Sequence, residues 1–561
     1  MKLFKQKSPE EKLRIRKDRI LIFISAVLLA LAFPPVSINW FVFIALIPLF
    51  SVISKRDTLR SLNAAGYLFG FIFSLLTVYW VGAFTEMKDP FLMIAGFALL
   101  FFNPLLFIIP TTLYYLGSGI TKKGYAFLML PFFWVTSEYV YMITDVSFPW
   151  LTLGHGLARF THYIQIADHI GSIGLTLVVA YINLFLYLAF INYRSDKKKF
   201  QIYSYSAAAL IILPLLYGFI VLGNQQKPAE YIKTGIIQPD LDPYEKWAYD
   251  DVSKLADMHL KMSEKAVSKN AKLIIWPETA LPTYLLEGSF PEVRDRMMLF
   301  TAMNNVSLLT GMPHKVNYIS KEDAPFDAKF HKVFKYYYST FNAILLFNPE
   351  SYFVQNYNKM KLVPFGEKTP YADRIPLLGD LIKWSVGVGA WNVGKDTTLL
   401  VMTKSGNDYK GIAQNDTIRI GGLVCYESVY PDHVAVLNQL GADFFVVVTN
   451  DSWYGNTGGP YQHKEFAALR AVETRRSIVR CANGGISCVI DAYGHTLTQT
   501  KMYTKDILVA DVPVMKGEKT FYTKNPLLIA RLSAALSVLI LGMFWTLKLK
   551  KYFYPQNSNT D

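Results

Sequence analysis

Eight mostly apolar stretches constrain this chain more than any other feature, because about 20 such residues are what a helix needs to cross the hydrocarbon core of a bilayer. They lie at 20–34, 39–53, 64–84, 91–116, 125–142, 170–191 and 203–222, with the eighth at 527–547. The first follows a basic segment, as in a signal peptide, but no small-residue cleavage site follows and Phe33-Pro34-Pro35 ends it. A retained helix is therefore expected. If the stretches alternate across a bilayer, the basic clusters within 2–19, 55–60, 122–123, 194–199 and 548–551 all fall on one side. The other side has Lys88 and Arg159 in its short loops, and Lys524 just before the last stretch. Lysines and arginines flanking spans stay cytoplasmic, which predicts both termini inside and 227–520 outside. The expected division is seven helices over 1–225, an outer domain over 226–519, and an eighth helix with a cytoplasmic tail over 520–561.

Composition agrees with a chain of two kinds. Of 561 residues, 52% are hydrophobic and 18% charged, too apolar for disorder and too charged for an all-membrane transporter. The formal net charge is +14, yet residues 226–519 hold 33 basic and 32 acidic side chains, a net of 33 − 32 = +1. The surplus sits beside the spans, which removes nucleic acid as a partner. From Ile232 onward, short β-branched runs alternate with amphipathic, charged stretches, the pattern of an α/β domain. Strands are predicted at 232–237, 273–275, 306–310, 343–347, 418–424, 444–449, 478–482 and 486–490, and helices at 250–267 and 465–475. The segment 375–393 is apolar, Gly-interrupted and too short to span, and is read as a loop that touches the bilayer.

Three strand ends carry polar residues that strand propensity does not ask for. Ile274-Ile275-Trp276-Pro277-Glu278 sets a carboxylate beyond a proline that stops ladder pairing. Asn358 to Glu367, NKMKLVPFGE, sets lysines before an apolar run, and Gly421 to Glu427, GGLVCYE, sets a cysteine directly after a buried-type strand. Alone, each has an ordinary reading: a turn glutamate, a solvated edge, a small core residue. A Glu, a Lys and a Cys in that order at strand ends of one α/β domain resemble the nitrilase superfamily triad. With the membrane helices, WPE, VCYES, NDSWYG at 450–455 and FPW at 148–150, nearly the whole chain resembles the apolipoprotein N-acyltransferases, the membrane-bound branch of that superfamily.

The resemblance implies an αββα sandwich on a bundle of about eight helices, in the bacterial cytoplasmic membrane with the sandwich on the periplasmic side. It implies that Cys425 is the nucleophile, Glu278 the general base and Lys359 the cation that meets the tetrahedral intermediate. Glu367, Tyr426 and Glu427 match supporting positions, and Trp247 and Trp453 aromatic positions of the acyl site; Trp150, Trp384 and Trp391 are further substrate-binding candidates. The implied reaction takes an acyl chain from a phospholipid, typically phosphatidylethanolamine, onto Cys425 as a thioester. The chain then passes to the α-amine of the diacylglyceryl-cysteine at an apolipoprotein's N-terminus. The expected enzyme is a monomer without metal or cofactor. The chemistry is consistent, since a thiol of pKa about 8.5 is mostly protonated near neutrality and needs a base.

Two rivals share features of the sequence. A membrane-tethered amidase would use the same triad but needs one anchor rather than eight. A transporter with an inactive outer domain would need ionisable residues within its spans, and these are scarce. Cys481 and Cys488 flank Asn483-Gly484-Gly485. A two-residue turn at the glycines would set them opposite each other across a hairpin, within reach of a disulfide, although two buried thiols are the expected state. His463 is read as a helix-start histidine contacting backbone rather than as a base.

Overall fold

Helices occupy all eight apolar stretches in the computed structural model, which describes residues 8–83, 90–248, 251–349, 351–371, 391–403 and 417–553. Five are long and apolar enough to cross a membrane: Leu59–Gly82, Leu92–Ile120, Ala167–Asn192, Lys197–Gly223 and Leu528–Lys550. The other three differ in kind. Pro9–Ala32 is long but charged in its first half, with Ser8 capping it and Glu10 and Glu11 in its first turn. The second stretch is a 3-10 turn, Asn39–Phe43, followed by the short helix Ile47–Ile53. The fifth is divided into Lys123–Leu128 and Leu130–Met142, with Pro131 in the first turn of the second piece. At one end of the bundle, Arg56 pairs with Asp18 at 2.9 Å and Lys123 with Asp57 at 2.6 Å.

Residues 230–514 form a sandwich of two sheets. One holds seven strands in the order β13-β1-β2-β3-β5-β4, with β6 also on β5, and the other six in the order β12-β11-β10-β9-β8-β7. In the first sheet are β1 (Glu230–Gln238), β2 (Leu273–Trp276), β3 (Ser307–Tyr318), β4 (Lys329–His331), β5 (Tyr336–Phe347), β6 (Gln355–Asn358) and β13 (Asp506–Val514). In the second are β7 (Leu400–Thr403), β8 (Thr417–Val424), β9 (Phe444–Thr449), β10 (Ile478–Ala482), β11 (Cys488–Ile490) and β12 (Thr496–Gln499). Ile236, Ile275, Ile344, Val424, Val446 and Cys481 belong to the dry layer between the sheets. Helices Val252–Val267 and Pro291–Asn304 cover the first sheet, and Pro431–Gln439 and Gly458–Thr474 the second. The expected αββα order is present. β1, β2 and β3 run parallel, as do β8, β9 and β10, so their C-terminal ends gather at one edge of each sheet.

The hairpin β10–β11 corrects the expected register. Arg480, not Cys481, lies opposite Cys488. A shift of one residue turns a side chain to the other face of a sheet. Cys481 accordingly packs between the sheets and Cys488 against the helices, both as free buried thiols.

Membrane helices and sandwich share one core: Tyr426, Tyr430, Phe466, Leu469 and Val472 pack in the same cluster as Phe33, Trp80, Phe148 and Trp150. Gln462 fastens the joint with all four of its amide valences. Its Oε1 accepts from the indoles of Trp80 at 3.0 Å and Trp150 at 2.6 Å, and its Nε2 donates to the carbonyls of Pro34 at 2.9 Å and Thr77 at 3.0 Å. Gly171, at φ +66° in the helix Ala167–Asn192, admits the Tyr522 ring where a Cβ would stand 2.3 Å from it.

Candidate active site

Glu278, Lys359 and Cys425 come from the ends of β2, β6 and β8 and meet at the edge of the sandwich that faces the helices. The Glu278 corner is built by close backbone approach. Gly311 of β3 lies so near that a Cβ there would be 2.6 Å from the Glu278 Cα. Lys359 is buried, its Nζ 2.8 Å from Glu367 Oε1 and 3.6 Å from Glu278 Oε1. Asn342 bridges the two carboxylates, donating to Glu278 at 2.7 Å and to Glu367 at 3.2 Å. Cys425 sits at φ +53°, a strained turn from strand into the 3-10 helix Cys425–Val429. Such a turn presents the thiol at the sheet edge. It also leaves the Tyr426 N–H among the helix-start donors that have no partner within the turn.

The charges act on one another. Burial raises the Cys425 thiol above its ordinary value and the Glu278 carboxylate raises it further, while Lys359 opposes both. The resting thiol is therefore protonated and needs a base at the moment of attack. Burial also raises Glu278, with the Glu367 charge adding and Lys359 and Asn342 opposing, which brings a carboxylate nearer to neutral pH and improves it as a base. Lys359 is pulled down by burial, but Glu367, Glu278 and Cys425 together raise it, so it stays a cation.

Glu427 turns inward and joins the nucleophile's turn to the lysine's loop. Its oxygens accept from Val424 N at 2.8 Å, Met360 N at 2.7 Å, Lys361 N at 3.1 Å and the Tyr357 hydroxyl at 2.8 Å. Tyr426 points away from the thiol, donates its hydroxyl to the Ser147 carbonyl at 2.6 Å and stacks on Phe148. Below this edge, between the helices, lies an apolar cavity of about 340 Å³. Leu92, Leu99, Phe102, Ile109 and Val140 line it within the bundle, and Val363 to Gly366, from the loop between Lys359 and Glu367, form part of its wall with Tyr454.

Comparison with known proteins assigns the chain. Residues 25–185 match the apolipoprotein N-acyltransferase N-terminal domain, and residues 233–520 the carbon-nitrogen hydrolase family. The apolipoprotein N-acyltransferase of Chlorobaculum tepidum is 30% identical over 91% of this chain and 93% of its own length. That of Geobacter metallireducens is 28% identical over 91% and 92%. The chain belongs to the apolipoprotein N-acyltransferase family. It is an acyltransferase of lipoprotein biosynthesis within the nitrilase superfamily, and neither the amidase nor the transporter alternative stands. Among solved structures, a carbon-nitrogen hydrolase from Helicobacter pylori is similar at 13% identity and a TM-score of 0.35, over 59% of this chain and 99% of that one.

For an apolipoprotein N-acyltransferase, the sequence-predicted tryptophans are dispersed. Trp453 forms an edge contact with Tyr244 and lines a second cavity of about 320 Å³ with Asp240, Asp242 and Tyr503. Trp391 is buried and its backbone N–H donates to the Glu367 carbonyl at 3.1 Å. Trp150 lies in the joint between helices and sandwich, bonded to Gln462, rather than on the wall of either cavity. Trp247 belongs to the helix Pro243–Ala248, but its side chain, and Trp384 with most of the loop 375–393, lie outside the described residues.

Further side chains lie against Glu278 and Cys425: His463, which contacts backbone as expected of it, and Lys246 and Asn342, which had no expected role. Lys246 is buried behind Glu278, its Nζ 3.4 Å from that residue's carbonyl and 3.0 Å from Thr279 Oγ1. His463 closes the back of the nucleophile's turn, its Nε2 3.0 Å from the Cys425 carbonyl and its Nδ1 3.1 Å from Asp451 Oδ1. Arg480 pairs with Asp451 behind it. Asn342 had a signal, as one amide inside the apolar run FNAILLF.

Proposed function

We propose that this apolipoprotein N-acyltransferase works through Cys425, Glu278 and Lys359 by two acyl transfers. The observation that carries the reading is an apolar cavity inside the bundle, walled in part by the loop that links Lys359 to Glu367. A membrane phospholipid, with phosphatidylethanolamine the expected donor, lays one acyl chain in that cavity. The Cys425 sulfur attacks the ester carbonyl as Glu278 takes the thiol proton. Lys359 and the Tyr426 N–H meet the negative oxygen; one such donor is typically worth about 3 to 4 kcal/mol. The C–O bond breaks, Glu278 returns its proton to the leaving oxygen, and a lysophospholipid departs. The α-amine of a diacylglyceryl-cysteine then attacks the thioester, Glu278 removes the amine's proton, and the thiol is restored as the amide forms. Burial from water favours the amine over hydrolysis.

The helices carry this chemistry at the bacterial cytoplasmic membrane in eight passes, with both termini cytoplasmic and the sandwich periplasmic. The ion pairs Arg56–Asp18 and Lys123–Asp57, which gather basic loops at one end of the bundle, support the orientation, and contacts of Pro34, Thr77 and Ser147 with the sandwich support the other end. Phospholipid with a labelled acyl chain, in nanodiscs, tests the mechanism. Wild-type protein is expected to form a hydroxylamine-sensitive adduct that Cys425→Ser abolishes and that a diacylglyceryl-cysteine peptide discharges as a hydroxylamine-resistant amide. No adduct on the wild type overturns the mechanism.

A further inference from the structure

In the mechanism above, the Tyr426 N–H meets the negative oxygen of each intermediate. The carbonyl of the same peptide group belongs to Cys425, and two side chains hold it. The Ser428 hydroxyl donates to it at 2.9 Å, and His463 Nε2 lies 3.0 Å from it and 2.9 Å from the Ser428 oxygen. The Cys425–Tyr426 bond is trans, and a trans peptide points its N–H opposite to its C=O. Fastening the carbonyl therefore fixes the direction of the N–H. Each donor on the carbonyl also polarises the group, which makes its N–H a stronger donor in turn. Cys425 itself, at φ +53°, needs its surroundings to hold it in that conformation.

Which nitrogen of His463 carries the proton follows from what faces the other one. Arg480 Nη2 stands 3.1 Å from Nδ1 and is a donor in every state, so Nδ1 accepts. The ring's own proton then belongs on Nε2, toward the Cys425 carbonyl. Asp451 Oδ1 also lies 3.1 Å from Nδ1, but that carboxylate is held by Arg480 and by the Thr449 hydroxyl at 3.2 Å. Burial and the Arg480 charge push His463 below its ordinary value, with Asp451 opposing, and the ring stays neutral with one N–H. His463, Asp451 and Arg480 are all buried. A buried ionic set of this kind stabilises a fold little better than apolar packing would. What it supplies here is an N–H held at one point.

We propose that His463 is a positioning residue for acyl transfer: with Ser428 it holds and polarises the Cys425–Tyr426 peptide, so that the Tyr426 N–H is aimed at the developing oxyanion. Asp451 and Arg480 hold His463 in the donating tautomer. His463 touches no reacting atom. Its effect is felt wherever a carbonyl oxygen gains charge, in acylation of Cys425 and again in transfer to the amine. This role rests on the acyl-enzyme mechanism, and the experiment separates the failure of one from the failure of the other.

Two reactions of the same thiol are compared, on the full chain in nanodiscs. Iodoacetamide alkylates Cys425 by displacing iodide and creates no negative oxygen, whereas phospholipid with a labelled acyl chain acylates it through one. His463→Leu is expected to slow acyl-adduct formation about tenfold, part of the roughly 10²–10³-fold typical when an oxyanion donor is lost outright, and to leave alkylation unchanged. Ser428→Ala, which deletes one hydroxyl, is expected to slow acylation several-fold with the same split. His463→Gln sets an amide N–H where Nε2 stood and is expected to recover most of the acylation. Equal loss in both reactions for His463→Leu and Ser428→Ala overturns the proposal, because damage to the fold or to the Cys425–Glu278 pair slows both. Unchanged acylation in His463→Leu overturns it too, as does a His463→Gln no faster than His463→Leu. A wild type that is alkylated at Cys425 but forms no acyl adduct is a separate failure, that of the acyl-enzyme mechanism, and this role falls with it.

Discussion

At the scale of single residues, the site is a set of buried charges whose partners decide their state. Glu427 accepts four hydrogen bonds from the segments carrying Cys425 and Lys359, so an amide in its place would turn N–H groups toward donors. Glu427→Gln is expected to cost about 1 to 3 kcal/mol of stability and to lower turnover by more than it raises KM, checked by thermal unfolding and acyl-transfer kinetics. Lys246 is a different case. Burial lowers it from 10.5 to about 8, with the Glu278 charge opposing. The folded protein then binds fewer protons than the unfolded chain between pH 8 and 10.5. Stability therefore rises with pH across that window, and below it the full cost, roughly 3 kcal/mol, stands. Lys246→Met is expected to flatten the rise in a pH series of unfolding midpoints. The same change removes a cation that holds the Glu278 carboxyl down, so the acidic limb of acyl-enzyme formation should move to higher pH. Glu278, Lys359 and Cys425, which the structure brings together, stood out in the sequence only in combination and through a family resemblance, since each alone reads as an ordinary residue after a strand. Lys246 did not, because a lone lysine in a polar stretch reads as solvated until the fold buries it.

At the scale of elements, the helix Gly458–Thr474 is one of those that join the two halves. Arg470 and Glu473 pair on it at 3.0 Å, both fully buried, and Glu473 Oε1 also accepts the Ser172 N–H of a membrane helix at 2.6 Å. Removing one member of such a pair leaves an uncompensated charge and typically costs about 3 to 5 kcal/mol. Arg470→Met alone is expected to destabilise severely, and the double change with Glu473→Leu to recover much of the loss, a coupling that a double-mutant cycle of unfolding midpoints measures. Strand positions were read well from β-branched runs such as 444–449, which the structure gives as Phe444–Thr449. Pairing was not, because register depends on turn geometry: the Gly484-Gly485 turn suggested Cys481 opposite Cys488, and a longer loop placed Arg480 there. β13 was not among the predicted strands: in DILVADVPV the apolar run is interrupted by Asp511 and Pro513, and its first half is only partly buried at the sheet edge.

At the scale of the whole molecule, membrane helices and sandwich are one packed body. Tyr426, Tyr430 and Phe466 lie in the core of the bundle, so a fragment carrying the sandwich alone, residues 226–519, would expose them. That fragment is expected to aggregate in aqueous buffer where the full chain in detergent stays monodisperse on size-exclusion chromatography. The helical places were legible because apolar length needs no partner to be read; the breaks at 39–53 and 123–142 depend on packing that hydropathy does not contain. The one-residue offset in the hairpin β10–β11 reaches this scale too. It seals Cys481 and Cys488 on opposite faces of a sheet, whereas Cys425 is only partly buried. A small thiol reagent, with Glu278 taking the proton, should therefore add once to the native chain and three times after denaturation. The first number counts competent active sites in a preparation, giving the protein a built-in calibration for every rate measured on it.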